Sequence, residues 1–412
     1  MTPMLKLRGE RGVWGAIAVG VALYVFFALT TSRIPGYGFR DGKAYAKMAL
    51  AFDPAHLDRL PAVIAPANTR YLPSAIAHYL HPDPTTAFTR LNAVAILLIV
   101  LACYGILRFY GLSVWWSLVG LALYLVAWPG LRFWIYYPIL TDQLGTALLL
   151  SALWAVLHQR HLLYTVTTAA LMATRESGAV VVLFFLLFHA NPWNPHRDLQ
   201  GSTSHRWLRL AAWNLLPLAV LLDARCHPFF PQSNTYNMTA AVLVAVMGTN
   251  LSAQKQLQCV VALLSVFGVI PYVLWLTLLN HGLRRAIVGL RAHWHWVVYV
   301  LTAILLAPLS WTDQERFLIL AVPPLMVALA WQLQARWPVQ GWASVGAVLL
   351  VVVHASLTQA FKPLQTFAAY EDFWSSVMSD VTAQRLLRVH LWLTIGTCVC
   401  VLGMLLRKAR RR

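Results

Sequence analysis

Long apolar runs separated by short, mostly basic connections set the pattern of this chain. A membrane-spanning helix needs about 20 mostly apolar residues, with ~17 as a lower limit. Runs near that length lie at 13–29, 87–107, 113–128, 141–157, 206–222, 257–280, 294–310, 317–334, 341–358 and 389–406. Two shorter runs, 162–173 and 177–190, flank Thr174-Arg175-Glu176 and read as two short spans or one broken hairpin. The pattern therefore predicts an all-α, polytopic helical membrane protein with about 12 transmembrane helices in a single domain over 1–412. The basic stretch Met1 to Arg11, followed by apolar Val13 to Leu29, is built like a signal peptide. No small-residue cleavage site follows it, so it reads as an uncleaved first span.

Two connections are long. The first, 30–86, carries the apolar patches Tyr45–Phe52 and Leu72–Leu80, which predict short helices lying at the membrane interface. The second, 223–255, contains Met238–Met247, an apolar stretch suited to dipping into that interface. No repeat or low-complexity segment interrupts the pattern.

Composition strengthens this picture. Of the 412 residues 59% are hydrophobic and 11% charged, against about a quarter charged in a soluble domain. So few charges cannot furnish a water-facing surface, and lipid must solvate most of the exterior. The formal net charge of +18 would suit nucleic acid, but its distribution points elsewhere. With the N-terminus inside and the spans alternating, 17 of the 32 basic residues fall on the inner side, with only Glu10 and Asp198 among the acidic ones. The remaining 12 of 14 acidic residues lie outside. Basic inner loops are what membrane insertion selects, so the charge is a topology signal, N-in and C-in, with the bilayer as partner and no nucleic acid. The five cysteines form no CxxC pair and no zinc spacing; Cys226 and Cys259 fall where an outer disulfide would be feasible. No HExxH, Walker A or GxGxxG sequence occurs.

Charged residues at the outer ends of spans are the candidate chemistry. The first cluster, Arg40-Asp41-Gly42-Lys43-Ala44-Tyr45, offers Asp41 as a general base or metal ligand, or as an ordinary Asp-Gly turn. In the second, Tyr137 precedes Asp142 at the start of a span, where a carboxylate caps a helix or binds a ligand. The third, Thr174-Arg175-Glu176, reads either as an ion pair, local or with Asp142, or as an anion site in which Glu176 orients Arg175. In the fourth, Asp313 and Arg316 stand three apart on one helix face, with Arg316 suited to grip a phosphate or simply to snorkel.

In this order the clusters resemble the GT-C superfamily of integral membrane glycosyltransferases, and more narrowly a bacterial group within it. The matching segments are Asp41-Gly42-Lys43-Ala44-Tyr45, Arg70-Tyr71-Leu72-Pro73, Tyr137 with Asp142, Thr174-Arg175-Glu176, and Arg316 leading into Pro323-Pro324. They cover roughly residues 30–330, each motif being short. The resemblance implies transfer of a sugar from a polyprenyl-phosphate-linked donor to a glycan, lipid or protein acceptor at the outer face of a bacterial inner membrane. It implies Asp41 as the catalytic base, Arg70, Arg175 and Arg316 on the carrier phosphate, and Tyr45, Tyr137, Asp142, Glu176 and Asp313 around the substrates. Some members use a divalent cation, Mg or Mn, with Asp41 the residue here that would hold it. Many show a paired acid in that loop, whereas Asp41 is followed by Gly42. The competing expectations are a multi-span transporter or lipid flippase without glycosyl transfer, and an assembly protein without catalysis. Transporters often show two related halves with mid-membrane sites; here the charges sit at one face and no halves are visible.

Overall fold

The computed structural model describes residues 11–34, 40–53, 60–63, 67–194, 203–226, 230–232, 253–281, 291–307, 318–335, 341–358 and 381–409. Apart from one isolated bridge, the regular structure among these residues is entirely helical. The helices are α1 (Arg11–Thr30), α2 (Arg40–Ala51), α3 (Leu72–Leu80), α4 (Pro84–Phe109), α5 (Val114–Val126), α6 (Leu131–Tyr136), α7 (Asp142–Leu157), α8 (His161–Met172) and α9 (Gly178–Ala190). They continue as α10 (Thr203–Cys226), α11 (Ala253–Phe267), α12 (Ile270–His281), α13 (Trp294–Leu306), α14 (Val322–Gln334), α15 (Trp342–Thr358) and α16 (Val381–Ala409). The short helices expected in the first long connection are present as α2 and α3.

Among the described residues four helices are long and apolar enough to cross a membrane: Arg11–Thr30, Pro84–Phe109, Trp207–Cys226 and Gln384–Gly403. A fifth is reached if α11 and α12 count as one span, but they meet at 73°. The run 257–280, expected as one continuous span, is therefore broken at residues 268–269. Gly268 takes φ +45°, and a Cβ there would stand 2.7 Å from His354 Nδ1 on α15, so the break needs a residue without a side chain. Seven further apolar helices are shorter, among them α5, α7, α8 and α9. The outer helices carry large exposed apolar residues, such as Val21 and Phe26 on α1, Leu215 and Leu222 on α10, Val348 and Val352 on α15, and Trp392 and Val399 on α16. Surfaces of this kind are ones that lipid, not water, solvates.

The interior is built by α4, α5 and α7, whose residues are mostly buried. Helix α7 packs on α4 and α8, and α8 packs on α10 and α9. Sequence signals fix where these helices start. Asp83 caps α4, accepting from the Thr86 N–H at 2.8 Å and from its hydroxyl at 2.7 Å, with Pro84 in the first turn where no N–H is needed. Those bonds favour the ionised Asp83 carboxylate and lower its pKa. Between α6 and α7 the chain is irregular but held: Ile34 N–H donates to the carbonyl of Tyr136, the last residue of α6, at 2.9 Å, and Asn92 Nδ2 donates to the Pro138 carbonyl at 2.8 Å. These ties set the N-terminus of α7. The α8–α9 connection is a tight turn over Ala173–Ser177, closed by Thr174 and Arg175 N–H donating to the Leu171 carbonyl at 2.9 and 2.6 Å. It exposes one polar corner beside the start of α7. Cys226 and Cys259 are both thiols in the structure, not a disulfide.

Candidate functional site

Asp41 lies in the first turn of α2, where the helix dipole favours a carboxylate. Tyr45 follows one turn later and so shares its face. The start of α2 is fixed from below by the Gly42 N–H, which donates to the Tyr137 hydroxyl at 3.1 Å. Tyr45 is fully buried, its carbonyl accepting from Ser74 Oγ on α3 at 3.2 Å. Its hydroxyl accepts from Arg70 Nη1 at 3.2 Å.

Arg70 sits between a short helical turn (Ala67–Thr69) and α3. Its next neighbour but one, Leu72, donates its N–H to the Ala173 carbonyl at 3.4 Å, which brings the segment to the α8–α9 turn. There Arg70 meets Glu176 as a fork: Nε to Oε1 at 3.3 Å and Nη2 to Oε2 at 3.0 Å. Such paired N–H bonds match the geometry of a carboxylate or a phosphate. Arg225, in the last turn of α10, reaches Glu176 Oε1 from the other side with Nη2 at 2.6 Å. The segment after it is tied to the first connection, since Val63 N–H donates to the Pro231 carbonyl at 2.7 Å and Asn68 Nδ2 to the Phe230 carbonyl at 3.4 Å.

The electrostatics follow from this crowding. Burial alone would raise the Glu176 carboxyl, but Arg70 and Arg225 outweigh it and hold it well below the usual carboxylate range, at about 2. Burial alone would likewise loosen the Arg70 proton, yet Glu176, Tyr45 and Asp41 together bind it more firmly. Asp41 is thus close enough to act on Arg70 through space. Tyr71 is raised, first by burial and then by Asp223.

Arg175, the neighbour of Glu176, turns away from this cluster and pairs with Asp142 at the start of α7. The carboxylate of this pair is deeper, Asp142 being 5% exposed against 23% for Glu176, while Arg175 at 10% is close to Arg70 at 12% and below Arg225 at 27%. The Arg175 stem lies against Gly145, where a Cβ would stand 3.0 Å from Arg175 Cδ. Asp142 therefore holds Arg175, and the helix is capped by position at Thr141 without a side-chain bond.

The structure thus gathers Asp41, Tyr45, Arg70 and Glu176 into one cluster, with Tyr137 supporting it and the Asp142–Arg175 pair beside it. Asp313 and Arg316 lie outside the described residues, as does Met238–Met247. Arg225 joins the cluster although sequence reasoning passed it over. Its signal was present: Asp223-Ala224-Arg225 ends an apolar run on the same expected side as Thr174-Arg175-Glu176.

A divalent cation does not suit these residues. Glu176, the carboxylate that shares Arg70 with Asp41, already faces two guanidiniums, and a metal ion there would meet their repulsion. No three His, Cys, Asp or Glu side chains gather to hold a metal among the described residues. What the arrangement offers is an anion-holding pair of arginines beside a carboxylate on a helix start. Family models, characterised proteins and solved structures give no match to this chain.

Proposed function

We propose that this chain is an integral membrane glycosyltransferase of GT-C type, with about 12 spans and both termini inside. It would move a sugar from a polyprenyl-phosphate donor to an acceptor at the extracytoplasmic face of a bacterial inner membrane. The observation that supports this best is the meeting of Asp41 and Tyr45 on α2 with Arg70, Glu176 and Arg225. Two carboxylates and two guanidiniums from four separate parts of the chain converge at one polar corner.

The chemistry runs as a direct displacement. Asp41 takes the proton of the acceptor hydroxyl, whose oxygen attacks the anomeric carbon. The bond from that carbon to the phosphate oxygen breaks, and the electron pair leaves with the polyprenyl phosphate. The anomeric centre inverts. Arg70 is placed to meet the charge that grows on the phosphate, where fixed cations in a dry site act most strongly. Tyr45 and the Gly42–Tyr137 bond keep α2, and with it Asp41, in position. The Asp142–Arg175 pair holds the α8–α9 turn that presents Glu176.

The test is release of polyprenyl phosphate from sugar-loaded polyprenyl phosphate donors by the purified protein, wild type and Asp41→Asn. Loss of the base should slow release by about 10²–10⁴-fold while the variant keeps its thermal midpoint. No release from any donor by the wild type sinks the enzyme reading, and lipid flipping in vesicles is then the measurement for the transporter alternative.

A further inference from the structure

Glu176 occupies the place where an anionic group would bind. Its two carboxylate oxygens accept N–H bonds from Arg70 Nε at 3.3 Å and Arg70 Nη2 at 3.0 Å and pair with Arg225 Nη2 at 2.6 Å. The Tyr45 hydroxyl oxygen accepts from Arg70 Nη1 and so steadies the same guanidinium. Two cations thus face one carboxylate, and all three side chains retain some exposure.

We infer that Arg70 and Arg225 form a binding site for a phosphate monoester and that Glu176 is its built-in competitor, displaced when the phosphate enters and expelling it on return. The assignment of that phosphate to a polyprenyl carrier rests on the glycosyltransferase reading; the exchange of anions does not. A phosphate monoester carries about −1.5 to −2 charge and three acceptor oxygens, whereas a carboxylate carries one charge and two oxygens. The fork of Arg70 accepts either. The donor phosphate is a diester with a single charge, while the product is a monoester. The site therefore gains most from the charge that develops as the sugar departs, which is the condition for accelerating a reaction. It also threatens to hold the product too tightly. A carboxylate already fixed on the α8–α9 turn, needing no diffusion, is suited to push the product off. Arg225 ends α10, and the backbone just beyond it is tied to Val63 and Asn68. Movement of Glu176 is thus felt in both long connections at once.

The experiment is direct binding of two radiolabelled probes, a short-chain polyprenyl phosphate in micelles and inorganic phosphate, to the purified full chain. Wild type, Glu176→Gln, Glu176→Asp and Arg225→Ala are compared, each checked for cooperative thermal unfolding above the assay temperature. Glu176→Gln should bind both probes about 10-fold more tightly and Arg225→Ala about 10-fold more weakly, the size of one charged hydrogen bond. Glu176→Asp, which shortens the competitor, should fall between wild type and Glu176→Gln and serves if the amide variant does not fold. Unchanged or weaker binding of both probes to folded Glu176→Gln or Glu176→Asp overturns the competitor role. A response to inorganic phosphate without one to the lipid overturns the carrier assignment. The expected binding changes with no sugar transfer from any donor uphold the anion exchange and remove the glycosyltransferase.

Discussion

Arg175 and Glu176 are consecutive in the chain, yet they enter two different kinds of ion pair. Arg175 meets one carboxylate, Asp142, in a nearly closed space against Gly145. Glu176 meets two guanidiniums from distant segments in a space that solvent still reaches. The first arrangement is deep, so removing either partner takes a counter-ion from a buried charge. The second is over-supplied with cations and shallower, so its members can change partners. Burial of the carboxylate, not the residue types, separates a fixture from an exchangeable site.

The largest expected effect tests the fixture. Asp142→Ala should cost about 3–5 kcal/mol, since it leaves the Arg175 guanidinium buried without its carboxylate. Adding Arg175→Leu should restore much of that loss, and a denaturant titration of the single and double variants reads both. If Asp142→Ala is tolerated, the distinction between the two pairs collapses. Next comes Gly145→Leu, which drives a side chain into the stem of Arg175 and should lower stability by about 1–3 kcal/mol in the same titration.

Glu176→Gln should cost less, about 1–2 kcal/mol at neutral pH, because two charged hydrogen-bond partners persist and solvent screens them. Its signature is pH dependence. A carboxyl depressed to about 2 in the folded chain contributes stability fully above the unfolded value, ~4.5, and loses it as pH falls towards 2. Wild type should therefore lose stability more steeply than Glu176→Gln over that window, as seen in thermal midpoints. Parallel curves would show that Glu176 is not held as described. Smallest is Arg225→Ala, within about 1 kcal/mol of wild type in stability, because the pair is partly exposed and Arg70 still holds Glu176. A large loss would make Arg225 a structural member of the cluster.

Much of the helical layout was legible from apolar runs. The runs 87–107, 141–157, 162–173 and 177–190 lie within a few residues of α4, α7, α8 and α9, and the patches 45–52 and 72–80 fall on α2 and α3. The bend between α11 and α12 was not seen, because hydropathy measures length and carries no direction. Gly268 and Pro271, a helix breaker and a residue that cannot continue a ladder, were the available signs. In the site, the gathering of Asp41, Arg70, Asp142, Arg175 and Glu176 was readable, but their pairing was not. Whether Arg175 takes Asp142 or its own neighbour depends on a turn of the backbone at Ala173–Ser177. Arg225 was missed for the same reason: that α10 ends beside this turn is a fact of packing between α8 and α10, which no local pattern encodes.

Helix α1 buries Gly12, Ala16 and Gly20 along one side. At Gly20 a Cβ would stand 2.6 Å from Val100 Cγ2 on α4, so a seam of small residues on α1 receives the side chains of α4. That seam has a place in time. During synthesis α1 is complete at Thr30, whereas α4 begins only at Pro84. At ~5–20 residues per second the first helix waits on the order of seconds before its partner exists. Through that interval α1 must be content as a solitary helix in lipid, which its apolar outer face permits. The groove that finally receives it is made by a later arrival.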